Sequence, residues 1–131
     1  MIVTEERFDI TNLAQQVLPG DSDLVEVGMA DYRKVAKYDN LKAVYVDTLD
    51  GNWGNVYYRL RNALDRAAIG GAKRAVVQFG CQSGDNLTTI TINAVLEIIR
   101  SYSPHITIDW GVQNGVHLDT KECYIFAVFG G

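Results

Sequence analysis

Apolar positions along the chain change their period several times, and each change marks an element. Ile10, Leu13, Ala14, Val17 and Leu18 fall on one helical face, and Pro19-Gly20 ends that helix by removing a donor and permitting a turn. A loop over 21–30 follows, then a short helix over about 31–38 with Val35 and Ala36 inward. Ala43-Val44-Tyr45-Val46 is a brief, continuously apolar run of strand formers, stopped by Asp50-Gly51-Asn52. From Trp53 the period becomes helical: Val56, Leu60, Ala63, Leu64 and Ala67 share a face, and Gly70-Gly71 closes the helix. Ala75-Val76-Val77-Gln78-Phe79 is a second strand of the buried type.

The third long element runs from Leu87 to about Tyr102, with Ile90, Ala94, Val95, Ile98 and Ile99 to one side and Asp85 or Asn86 as its cap. Its threonines and isoleucines are compatible with a strand, but its length favours a helix, and Pro104 stops it. Ile106, Ile108, Trp110 and Val112 then alternate with polar or small residues, a strand buried on one face. After a turn at Asn114-Gly115, Cys123 to Phe129 is apolar on both faces, as an interior strand is. The fold class expected is α/β (α+β): two short helices, then β-α-β-α-β-β. A four-stranded mixed sheet has helices on one face, and its last two strands form an antiparallel hairpin.

Length and composition agree with one domain. The chain has 131 residues, 47% hydrophobic and 21% charged, enough for an unaided core. The net charge of −4 disfavours nucleic acid as a partner, since an acidic surface repels phosphates. The basic groups (Arg33, Lys34 and Lys37; Arg59, Arg61 and Arg66; Lys73 and Arg74) interleave with apolar residues, as solvated element faces do. Two cysteines, Cys81 and Cys123, make no disulfide framework and show no metal spacing, so a reducing compartment is expected. No secretory signal opens the chain, and no run approaches the roughly 20 apolar residues of a membrane span. A cytoplasmic location, with no membrane partner, is the resulting expectation.

Candidate chemistry is sparse. Gly70-Gly71, the glycines at 80 and 84, and Gly130-Gly131 lack the close repetition of a phosphate cradle and read as helix end, loop and chain end. His105 and His117 have no ligand partners at metal spacing. Cys81, in a loop after a strand, is a position where nucleophiles occur, with a histidine as base; an inert buried thiol is the plainer alternative. Ser83-Gly84-Asp85 forms no nucleophile elbow. Trp53, Tyr57 and Tyr58 make either a ligand platform or a cap over the core.

Several strings, in order along nearly the whole chain, resemble the C-terminal domain of the FtsZ/tubulin family. They are Leu18-Pro19-Gly20, the stretch Glu26-Val27-Gly28-Met29-Ala30-Asp31-Tyr32-Arg33, Gly71-Ala72-Lys73-Arg74-Ala75-Val76-Val77, Ile92-Asn93-Ala94 with Glu97-Ile98-Ile99, Ile108-Asp109-Trp110-Gly111-Val112, and the closing Tyr124 to Gly130. The resemblance implies that 1–20 is the end of the family's connecting helix and 21–131 a single C-terminal-like domain. The chain would then lack the nucleotide half and the flexible tail, as an excised domain or a natural short protein.

In the family an acidic loop of pattern N-x-D-x-x-D enters the nucleotide pocket of the next filament subunit, where its aspartates polarise the attacking water. Here Asp31 matches the final aspartate, Glu26 stands at the asparagine and Gly28 at the first aspartate, so one carboxylate of the pair is absent. The resemblance thus implies a cell-division or cytoskeletal interaction domain with Asp21, Asp23, Glu26, Gly28, Asp31 and Arg33 at the interface. Asp31 and Glu26 would assist GTP hydrolysis in trans, with GTP bound only through a partner GTPase subunit or another copy. A plainer role for Asp31 is a favourable negative charge at a helix N-terminus. Two other functions stand beside this one: a small ligand-binding domain or enzyme with its site at Cys81–Asn86, or a homo-oligomerisation module.

Overall fold

Period and composition select the elements in the computed structural model, which describes residues 2–3, 29–47, 53–81, 88–113 and 123–131. They are β1 (Ile2–Val3), α1 (Met29–Ala36), β2 (Leu41–Asp47), α2 (Trp53–Ala67), β3 (Arg74–Cys81), α3 (Thr89–Tyr102), β4 (Thr107–Gln113) and β5 (Cys123–Gly130). The helix expected over 10–18 lies outside the described residues. β1 was not anticipated; it pairs antiparallel with β2, Ile2 opposite Val44.

The sheet order is β1-β2-β5-β3-β4. β3 and β4 are parallel, joined through α3, while β5 is antiparallel to both β2 and β3. The sheet is therefore mixed, with four main strands and the two-residue β1 at one side. The expected β4–β5 hairpin is not formed, because β3 stands between the two. Burial explains the choice. All eight residues of β5 are buried, which requires a strand on each side and layers on both faces. β4 carries Thr107 and Asp109 and fits the outer position, where Trp110 is 36% exposed even though its ring meets Phe79 edge-on at 6.3 Å.

The two long helices cover one face. Val56, Leu60, Ala63, Leu64 and Ala67 of α2 and Val95, Leu96, Ile98 and Ile99 of α3 form one core with alternate residues of the strands, including Val44, Val77, Phe79 and Ala127. α1, in contrast, packs on β3 and β5 from the opposite side, through Tyr32 and Val35, so helices on a single face describe only α2 and α3. The Tyr32 ring lies 6.0 Å from that of Phe126, a residue on the alternate side of β5 from Ile125 and Ala127.

Three local expectations shift. Ala36 is exposed, because an eight-residue helix offers only a narrow stripe and Tyr32 with Val35 fill it. The cap of α3 is Thr88, whose Oγ accepts from the Thr91 amide at 3.2 Å, rather than Asp85 or Asn86. Helix phase set from that cap turns Thr91, Val95, Ile98 and Ile99 inward and leaves Ile90, one position off the stripe, 81% exposed; Ala94 is half-buried. No helix among the described residues is long and apolar enough to cross a membrane.

Candidate functional site

α1 is the described part of the segment singled out by the sequence. Its inward residues, Tyr32 and Val35, are fully buried and fix its roll, so Arg33 and Lys34 stand exposed and Asp31 is half-buried. Tyr32 lies over Phe126, and the α1 C-terminus crowds Gly130, where a β-carbon would meet Tyr38 Cβ at 2.9 Å and the Val35 carbonyl at 3.0 Å. The helix axis is thereby aimed with its N-terminal turn, which holds Asp31, toward the end of the sheet where β5 begins. Burial raises the Tyr32 hydroxyl well above the usual phenol range, reinforced by Tyr124 and then by the Asp31 carboxylate.

Asp31 Oδ1 is 3.9 Å from Lys34 Nζ, one turn along the helix. Both groups are partly solvated, so this pair contributes about 0.3 kcal/mol and holds neither side chain firmly. The carboxylate sits in the first turn of α1, where the helix dipole favours it. Asp21, Asp23, Glu26 and Gly28 lie outside the described residues; Asp31 and Arg33 share one helix.

The alternative cysteine site does not assemble with His105. β3 and β4 run parallel with Arg74 opposite Thr107, so His105 precedes β4 at the end of the sheet where β3 starts. Cys81 ends β3, roughly 23 Å away along the strand at ~3.3 Å per residue. His117 and 82–87 lie outside the described residues. No group of three His, Cys, Asp or Glu suited to a metal occurs among the described residues. Tyr57 packs against the core as a cap and Tyr58 faces solvent.

Three basic side chains are held in structural contacts. Arg59 donates to the Asp47 carboxylate at 3.0 Å and to its carbonyl at 2.6 Å; Arg74 pairs with Asp109 at 2.8 Å, tying β3 to β4. Lys42 Nζ donates to the Ala68 carbonyl at 2.6 Å, capping the C-terminus of α2. Beside it, Lys42, Ile69, Gly71, Phe129 and Gly131 line a cleft of about 70 Å³, with room for a few waters and far below the several hundred Å³ of a nucleotide site. Sequence reading missed Tyr32 and the Lys42 cap, since both depend on strand partners far along the chain.

No protein-family model and no curated protein matches the sequence. Solved structures do match in fold. An empty FtsZ dimer from M. jannaschii superposes with a TM-score of 0.63 at 20% identity, over 86% of this chain and 33% of that one. A GTPγS-form protofilament of TubZ from Bacillus thuringiensis serovar israelensis gives 0.65 at 15% identity, over 92% of this chain and 33% of that one. CetZ2 from Haloferax volcanii, in a GTPγS-bound protofilament, gives 0.57 at 11% identity, over 82% and 34%. The chain spans about a third of the length of each of these structures. Its sheet of order β1-β2-β5-β3-β4, with two helices on one face and one on the other, is the fold of the C-terminal domain of FtsZ and tubulin.

Proposed function

We propose that this chain is an interaction domain of a tubulin-like filament, docking the segment from Asp21 to Arg33 on the nucleotide pocket of a neighbouring GTPase subunit. The observation that carries the reading is the likeness in fold, over 82–92% of the chain, to proteins solved as protofilaments. The partner is an FtsZ- or TubZ-like GTPase or a further copy of the filament protein itself. GTP is met only through that partner.

The exposure of Arg33 and the partial exposure of Asp31 on α1 support the reading, because Tyr32 and Val35 hold the helix to the sheet. A carboxylate presented in this way orients and activates a water at a neighbour's phosphates. Asp31 takes that part, with Glu26 as the second acid in place of the aspartate that Gly28 replaces. Added on its own, this domain caps one filament end and blocks addition there.

Sedimentation of an FtsZ- or TubZ-type GTPase with GTP, with and without a molar excess of this chain, tests the proposal. The expected result is less pelleted polymer, or altered GTP turnover, at substoichiometric to equimolar chain. Unchanged pelleting and turnover with every GTPase tried removes it.

A further inference from the structure

The two cysteines, remote in sequence, are neighbours in the sheet. Cys81 ends β3 and Cys123 opens β5, and the antiparallel register sets them directly opposite each other, one rung beyond Gly80 and Tyr124. Directly opposed residues of an antiparallel pair have Cα atoms about 4.5 or 5.5 Å apart, depending on the type of rung. Disulfides span Cα separations of about 4.4–6.8 Å, so either rung falls within their range.

We propose that Cys81 and Cys123 form a dithiol that closes to an intramolecular disulfide when it meets a low-molecular-weight disulfide, such as oxidised glutathione. One cysteine thiolate attacks a sulfur of that reagent, forming a mixed disulfide and releasing the first glutathione thiolate. The second cysteine gives up its proton, attacks the protein sulfur of the mixed disulfide and expels the second glutathione thiolate. Two protein thiols are oxidised by two electrons, one external disulfide is reduced to two thiols, and the two cysteine protons pass to the released thiolates.

The bond would staple the final rung of the central β3–β5 ladder, at the end of the sheet toward which the Asp31 turn of α1 is aimed. It encloses all of α3 and β4 in a covalent loop, which restricts the unfolded chain. Cys123 is fully buried, so the reagent reaches it slowly and it is suited to the second, intramolecular step.

The test uses the full chain, incubated with oxidised glutathione at pH 8 and then freed of reagent. The expected product is a monomer lighter than the reduced protein by the two thiol hydrogens. Its tryptic digest without reductant joins the peptide that follows Arg74 and ends at Arg100 to the one that follows Lys121. The melting temperature rises by about 5 °C or more, and dithiothreitol reverses the rise. Cys81→Ser abolishes both the linked peptides and the rise. Two free thiols after incubation, a persistent glutathione adduct, or cross-links only between molecules would overturn the proposal, and none of these readings requires a variant to fold.

Discussion

Tyr124 lies across Gly80: a β-carbon on residue 80 would collide with Cε1 and Cζ of the ring. The two residues are rung partners on β3 and β5, and the same ring stacks on Tyr45 of β2 at 5.6 Å and 18°. Glycine in a central strand normally weakens it. Here the missing side chain makes the space that lets one tyrosine bridge three strands. Gly80→Ala is therefore expected to cost about 3 kcal/mol, at the upper end of overpacking penalties. In a Tyr124→Ala background the same change costs much less. Urea unfolding of the two single variants and the double variant measures that coupling.

The turn after α2 makes an opposite pair of predictions. Ala68 has φ 55, a left-handed conformation that costs a residue bearing a β-carbon about 1 kcal/mol, and Ala68→Gly should stabilise the protein by about that amount. Its carbonyl can still accept from Lys42, since the backbone geometry is kept. Gly71, at φ 86 with nothing within 4 Å of a built β-carbon, has room for a side chain but not the backbone freedom. Gly71→Ala should destabilise by about 1 kcal/mol through conformation alone. Thermal melts of both variants check the opposite signs.

The long elements were legible because their burial is a local matter of period. All five residues that place α2 in the sequence are buried in the structure. The two-sided apolar run of β5 gave away its interior position as well. What the run does not encode is its neighbours. A nine-residue connection between β4 and β5 is compatible with adjacent strands or with a step over β3, and only the competition for two-sided burial decides. Ile90 was misplaced for a related reason: helix phase depends on the cap, and Thr88 with Thr91 outcompetes the acidic and amide residues before it. The pairing of Cys81 with Cys123 depends on register, which no spacing rule reaches. Most of the acidic segment lies outside the described residues, so its legibility rests on resemblance alone.

Tyr32 gives a pH prediction. Its hydroxyl is buried with no hydrogen-bond partner among the described residues, and its folded pKa lies above that of an exposed tyrosine, near 10. The neutral phenol is thus favoured in the folded state. Its contribution is fully present below pH ~10 and is lost as pH rises further, when the unfolded chain ionises first. Tyr32→Phe removes an unsatisfied polar atom and should stabilise by about 1 kcal/mol at neutral pH. It should also flatten the loss of stability above pH ~10. Equilibrium unfolding of the two proteins across pH 8–11 compares the slopes, and equal alkaline slopes would exclude Tyr32 as their source.

Asp31 separates docking from folding. Its contact with Lys34, at 3.9 Å, is worth about 0.3 kcal/mol, and the anchoring of α1 belongs to Tyr32 and Val35. Asp31→Asn keeps the shape and a polar group in the first helical turn, so the melting temperature should move by no more than about 2 °C. If the carboxylate meets a neighbour's phosphate-bound water, the same change should abolish most of the effect on GTP turnover while leaving the amount of bound chain nearly unaltered. Arg33→Glu, at an exposed position on the other flank of Tyr32, should instead weaken binding itself. Co-sedimentation and phosphate release measured on one set of samples distinguish the two. A variant at Asp31 that keeps full effect on turnover would confine this carboxylate to its place at the helix N-terminus.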